Sequence, residues 1–417
     1  MNTKGGAKGD GAREGVANLS EVEWHWPRCG HLWSTSRMRT QDLERLKQPY
    51  SSEAFSPKGR KLAKALNVHV SNSDKLYDAI YNDLDPRIGG VGWWSPYPSD
   101  ARRRLISDYL LQAVWSVQYN LIEAGLHSLE LVDWTERESV EMRHSPQIDE
   151  RGHVTVKYPP SRCPADDISN PMVDLHTAGT LRALASALDC MGAGIIGVLA
   201  LPTSILRSDW KTARRALLEL KEDGSVGPRM QLDFMTRLEA IVASAGPSGW
   251  IDWVLEYRHM FAHRARRLQP NMISVKSSIF DASGKPVVRG EMVRLLPRDP
   301  GLCEVDAWRE PTRAPVLTEA SEVTISGVVQ SAVASIDAVA NSLLEIWDRR
   351  RNNPTLVVQP DVQWANTTVG KRSAFEGYAP GSTKYDPQAI TSNPDLVRRL
   401  SAASLLDGQR QQWQAFA

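Results

Sequence analysis

Trp250-Ile-Asp-Trp-Val-Leu-Glu-Tyr-Arg-His-Met-Phe-Ala-His-Arg-Ala-Arg-Arg-Leu268 is the stretch on which the reading of this chain turns. Trp250, Trp253 or Val254, Tyr257, Phe261 and Ala265 recur at steps of three and four, which predicts a helix with an apolar stripe. Glu256, His259, His263 and Arg267 follow the same steps along a second, polar stripe. Arg258 falls between them, in line with Ile251, Leu255 and Ala262, so its guanidinium should emerge beside the core. Gly246-Pro247-Ser248-Gly249 supplies turn chemistry before this helix, and Pro270 stops it.

Working outward, the neighbours on both sides also read as helices. One is expected over Asp174–Leu201, ended by Pro202, and a second over Ser208–Glu222, capped by Ser208 and stopped by Asp223-Gly224. A third covers Arg229–Ala245. A long final helix runs from Leu317 to Arg350, its buried side marked by Val329, Val333, Ile336, Val339, Leu343, Ile346 and Trp347. The short connections predict neighbours that run up and down, an antiparallel helical bundle over residues 171–352. Residues 271–315 interrupt it. Met272–Val275, Ser278–Phe280, Val287-Val288 and Val293–Leu296 are separated by turn residues and read as a small antiparallel insertion of hairpins.

Residues 42–170 read as an N-terminal helical region with a β-hairpin. Short helices are expected between Asp42 and Ile88, then a Gly- and Pro-rich loop, Gly89–Pro98. A long helix follows, capped by Ser99 or Asp100 and reaching Leu131. Val140-Glu141-Met142 against His153–Lys157, around Asp149–Gly152, predicts the hairpin. Pro159, Pro160 and Pro164 then place a domain boundary before Pro171. Residues 1–41 read as a disordered or extended arm, and 353–417 as a largely irregular tail with one weak helix near Asp395–Leu406. The expected class is mainly α, a bundle with a β insertion and an α/β-hairpin extension.

Composition sets limits on function. Among 417 residues the formal net charge is +1, so any contact with nucleic acid must come from a local patch. Cys29, Cys163, Cys190 and Cys303 are far apart and form no CxxC pair, which argues against a disulfide framework and a cysteine zinc site. Residues 1–15 lack the apolar core of a secretory signal. The longest apolar run, Cys190–Leu201, is shorter than the span of about 20 residues that a bilayer needs. A cytoplasmic protein with no membrane partner is the expectation.

Several letter patterns carry little. Gly192-Ala-Gly-Ile-Ile-Gly197 has the spacing of a dinucleotide fingerprint, but that mechanism needs a strand before the glycines and a helix after them. Here Leu181–Leu188 is helix-like, so the glycines are expected inside a helix, where they admit a neighbouring backbone. His259 and His263 stand four apart, yet Met260 occupies the place of the glutamate that zinc peptidases of this spacing use. His25, Cys29 and His31 lack a fourth ligand nearby. Trp24, Trp26 and Trp33 read as docking an extended arm, and Trp93 and Trp94 as burying a linker. No metal and no cofactor is expected.

Arg258-His259-Met260-Phe261-Ala262-His263 has the form arginine, polar residue, three residues, histidine, on a bundle helix. This resembles the motif of the HEPN superfamily, all-helical bundles that include many RNases, in which Arg and His are separated by four to six residues. The resemblance covers residues 174–350, with the β insertion as a departure from a simple bundle. It implies a metal-independent endoribonuclease in which two protomers bring their motifs together. In such enzymes a ribose 2′-OH attacks the adjacent phosphate and leaves a 2′,3′-cyclic phosphate and a 5′-OH. His263 would then be the general acid/base, Arg258 would steady phosphate charge, and His259 would assist. These roles suit the chemistry: imidazole titrates near neutrality and guanidinium offers a fork to phosphate oxygens. Arg264, Arg266 and Arg267 are placed to hold flanking phosphates of RNA. Glu256 and Asp189 are candidate orienting residues, Glu256 through a histidine or through Arg266 or Arg267.

On a straight helix Arg258 and His263 lie about 140° apart. A composite site across a homodimer axis is therefore expected. Arg137 and His144 satisfy the loose motif as well, but in a charged stretch that reads as hairpin-like. The alternatives are a silent HEPN-like module that binds RNA, nucleotide or a protein, and a structural protein whose bundle supports the aromatic arm. A neutralising or regulatory protein partner fits an RNase acting in stress or defence.

Overall fold

The computed structural model describes residues 57–83, 100–142, 146–148, 154–156, 169–221, 226–263, 271–280, 286–301, 316–353, 356 and 378. All of them belong to one unit, Ser52–Ala417. The arm at 1–41 with His25, Cys29 and His31, the loop holding Trp93 and Trp94, and the helix expected near Asp395–Leu406 lie outside the described residues.

The described residues are mostly helical. In chain order they form α1 (Pro57–Ala65), α2 (Ser71–Asp83), α3 (Asp100–Met142), β1 (Pro146–Ile148), β2 (Val154–Val156), α4 (Ser169–Leu199), α5 (Trp210–Leu218), α6 (Val226–Ala245), α7 (Trp250–His263), β3 (Asn271–Phe280), β4 (Pro286–Arg294) and α8 (Ser321–Asn352). One hydrophobic cluster runs from Ala63 on α1 to Trp347 on α8 and takes in every helix. The helices on both sides of the expected boundary at 159–171 thus share one core.

α4 is the centre of that core. Val173, Leu181, Leu184, Leu188, Met191 and Leu199 are fully buried, and so are most positions between them. A helix apolar around its whole circumference must be covered on all sides. α3 covers one side: Leu110 meets Gly197, Asn120 meets Cys190 and His127 meets His176, so this pair runs in opposite directions. The glycines of α4 set its spacing to neighbours. A Cβ on Gly192 would lie 2.7 Å from the backbone oxygen of Asp209, and one on Gly197 2.7 Å from Leu110. The glycine triplet is helical, as its neighbours in sequence imply, and Gly192 admits the backbone that leads into α5.

Two helices, Pro171–Leu199 and Ser321–Asn352, are long and apolar enough to cross a membrane by length and composition. Within their most apolar windows 78% and 50% of residues are buried inside the fold, which is how a central helix of a globular core also reads. At the far end of α4, the guanidinium of Arg350 is fully buried and donates to the carbonyl oxygens of Gly197 and Val198. Gly197 O also accepts the Ala200 N–H at 3.3 Å, so Arg350 adds to a helix end that the backbone already partly closes. Burial lowers the pKa of Arg350 to about 9.

Three local expectations are corrected. First, α3 continues to Met142, so Val140-Glu141-Met142 is helical and the hairpin's first strand is Pro146–Ile148, with Ile148 opposite Val154. Leu131, Thr135 and Glu138 are buried at helical spacing, and Glu138 meets Arg294 of β4. That periodicity outweighs three alternating residues. Arg137 consequently lies on the helix, its guanidinium 4.7 Å from the Trp134 ring centre.

Second, α5 begins at Trp210 and is capped by Asp209, which accepts from the Thr212 N–H at 2.6 Å. The hydroxyl of Ser208 instead donates to Ile205 O at 2.5 Å, closing a short 3-10 turn over Ile205–Arg207. Third, the four apolar runs expected between 271 and 296 merge into a single hairpin. β3 pairs antiparallel with β4, Ile273 opposite Met292, and a shift between Lys276 and Ile279 absorbs the change of phase. Pro297 bridges to Val316 beyond it.

Candidate functional site

α7 starts where Gly249, at φ +81°, turns the chain through a conformation that side chains resist. Trp253 N–H then donates to Gly249 O at 2.9 Å. The apolar stripe is as the spacing predicts: Trp250 is buried, and Val254 and Tyr257 are fully so. Tyr257 sits between Trp253 and Phe261, with ring centres at 5.0 and 4.9 Å. The Trp253 indole donates to Pro297 O at 3.0 Å, fastening α7 to the segment after β4. Such a run of rings holds the register of the helix.

Arg258 emerges beside this core. Leu255 and Ile251, one and two turns earlier on its face, are buried, whereas the Arg258 side chain is 38% exposed. Its Nε is buried without a hydrogen-bond partner, and its Nη2 lies 3.3 Å from Oδ2 of Asp189 on α4. The other oxygen of Asp189 accepts the Trp210 N–H at 3.2 Å. The carboxylate thus joins the guanidinium to the first turn of α5, a terminus that carries partial positive charge. Burial pushes the Asp189 carboxyl upward. The Trp210 hydrogen bond and the charges of Arg258 and Lys211 oppose that shift, while the charge of Asp209 adds to it.

The remaining expected residues divide. Glu256 pairs with Lys211 Nζ on α5 at 3.0 Å. His259 is exposed. His263 closes α7, and its side chain lies outside the described residues, as do Arg264, Arg266 and Arg267. The fold therefore gathers Arg258, Asp189, the Trp210 N–H and Lys211. On the helix, position 263 is about 140° from position 258. Trp210 and Lys211 were not legible as site residues from the chain alone. The signal that finds them is Asp209, the acidic cap that marks where α5 begins.

Two polar groupings flank the site. A cavity of about 340 Å³ lies beside the start of α7, lined by Trp210, Arg214, Glu239, Trp250 and Asp252 among others. Arg214 grips Glu239 there with two contacts of 2.8 and 3.1 Å. Further along α4, Nδ1 of His176 lies 3.0 Å from Nδ1 of His127 on α3. Burial lowers both imidazoles, His176 to about 4 with the adjacent His127 contributing. Cys190, beside Asp189, accepts from Asn120 at 3.6 Å, and burial pushes its thiol up to about 11. It is therefore protonated at neutral pH and a poor nucleophile. Among the described residues no group of three or more His, Cys, Asp and Glu is placed to hold a metal ion.

No protein-family model, curated protein or solved structure matches this chain.

Proposed function

We propose that this protein is a cytoplasmic, metal-independent endoribonuclease on a HEPN-like antiparallel bundle, active as a homodimer. The ribose 2′-OH loses its proton to a base and attacks the neighbouring phosphorus. The bond to the 5′ oxygen breaks and takes up a proton, leaving 2′,3′-cyclic phosphate and 5′-OH ends. His263 moves the protons, with His259 beside the motif, and Arg258 balances the charge on the non-bridging oxygens. Arg264, Arg266 and Arg267 hold flanking phosphates.

The observation that supports this reading is the setting of Arg258. It is half-open and carried on a helix whose aromatic core resists rotation. A guanidinium fixed before substrate arrives is what phosphate stabilisation needs. The offset of about 140° on an ideal helix supports a composite site, with the partnering histidine supplied by a second copy of the chain. One specific observation favours a second reading, a silent RNA-binding module: the Arg258 charge is already met by a carboxylate.

The test is cleavage of a mixed RNA pool with and without EDTA. Wild type should cut in both conditions. Arg258→Ala and His263→Ala should each lose about 100-fold or more in rate, the scale of removing one transition-state donor or acid/base. Binding without cleavage by wild type would select the silent module. Cutting that survives both substitutions would reject the site, and loss of cutting in EDTA would reject the metal-free mechanism.

A further inference from the structure

The Asp189 carboxylate makes the contacts that a phosphate would make. One oxygen takes a backbone N–H from the first turn of α5, and the other faces the Arg258 guanidinium at 3.3 Å. Helix N-termini and arginine forks both bind phosphate oxygens. A second cation stands close by: Lys211, the next residue after Trp210, is paired with Glu256, and its charge acts on Asp189. A half-buried carboxylate loses part of its hydration in such a place, and here it is opposed by the neighbouring Asp209. The contact is also open to exchange: Arg258 is 38% exposed and meets Asp189 through one contact of 3.3 Å. By contrast, the Asp209 carboxylate is committed to its own helix through the Thr212 N–H.

We infer that Asp189 occupies the seat of an RNA phosphate, and that RNA engages Arg258 by displacing this carboxylate. The inference rests on the reading of Arg258 as an RNA-contacting residue and gives Asp189 a role opposite to simple support. An orienting carboxylate strengthens the site, whereas an occupying one restrains it. Bound phosphate would take over the Trp210 N–H and Arg258, with the charge of Lys211, itself paired with Glu256, acting from nearby, while Asp189 turns aside or takes up a proton. The free protein would then hold its arginine in reserve, and RNA contact would become easier as Asp189 loses charge.

The experiment measures binding of the full-length protein to a fluorescent 2′-O-methyl oligouridine, which cannot be cut and whose bases do not titrate between pH 5 and 8. Asp189→Asn keeps an oxygen for the Trp210 N–H and removes the charge. It should bind about threefold or more tighter than wild type at low salt, the range expected when one opposing ion pair is removed. Wild-type affinity should also rise as the pH is lowered, and that rise should be smaller in Asp189→Asn. Arg258→Ala should weaken binding in both backgrounds. If Arg258→Ala weakens binding but Asp189→Asn leaves it unchanged or weaker, the displacement is wrong and Asp189 supports the arginine. If Arg258→Ala changes binding in neither background, the RNA site itself is misplaced. Thermal melting of each variant identifies any loss that comes from misfolding.

Discussion

Two arginine–carboxylate pairs in this fold look alike in a contact table and differ in kind. Glu138 and Arg294 bind through two parallel contacts, each side chain only 5% exposed, and join α3 to β4. Asp189 and Arg258 meet through one contact at 3.3 Å, with the arginine 38% exposed and one of its donors unmet. The first pair is closed: both oxygens and both forks are used, and water is excluded. The second is open on one side, where the guanidinium meets solvent. A closed pair can only hold structure together. An open one can exchange partners, and this is the physical ground for placing function at Arg258.

The largest effect should come from the closed pair. Glu138→Ala leaves a buried guanidinium without its balancing carboxylate and should cost about 3–5 kcal/mol in urea unfolding. Arg258→Ala should cost about 1 kcal/mol or less, because its pair is partly screened by water. Equal losses would erase the distinction.

The next test uses the neutral polar pair at the other end of α4. His176 titrates at about 4 in the fold against 6.5 when free, so it binds fewer protons folded than unfolded between those values. Its contribution is complete above pH 6.5 and is lost as the pH falls toward 4, by about 3 kcal/mol at most. Asp189 acts in the opposite sense, since its carboxyl is raised and its protonation favours the fold. Unfolding of wild type and His176→Gln from pH 7.5 to 4.5 separates the two, the variant being less acid-sensitive. If both curves fall in parallel, the histidine pair is not the acid-sensitive element.

A smaller effect is expected at Gly192. A methyl there meets the Asp209 carbonyl at 2.7 Å and must push the start of α5 away. Gly192→Ala should destabilise by about 1–3 kcal/mol, as overpacking does. Because Trp210 N–H moves with that turn, the contact of Asp189 should loosen as well, and binding of oligouridine should shift while Gly194→Ala changes it little. Gly194 has 3.6 Å of room at the same position.

The elements that were legible in the chain are those with a long period. Val254, Tyr257 and their neighbours announce α7 because burial repeats over fourteen residues. Arg258 beside Ile251 and Leu255 could be placed for the same reason. Short signals failed where another bond competed. Ser208 looks like a cap, but its hydroxyl is spent on Ile205 O and Asp209 takes the role. Val140-Glu141-Met142 alternates like a strand, yet Glu138 is drawn into a helix by a residue 156 positions away. Lys211 is invisible for a similar reason: nothing local to it points to Glu256, and only the crossing of α5 and α7 brings them within 3.0 Å.

The buried guanidinium of Arg350 imposes an order on synthesis. It satisfies the terminal carbonyls of α4 from a residue about 150 positions later, near the end of the last described helix. While the ribosome is still making the hairpin, the end of α4 has only its local bonds, Ala200 N–H to Gly197 O, Leu201 N–H to Ile196 O and Gln231 Nε2 to Leu199 O, and Val198 O still lacks the Arg350 donor. The central helix is therefore finished by almost the last described part of the chain to emerge, so a nascent chain that stops short of α8 should hold the parts of the bundle without being able to seal it.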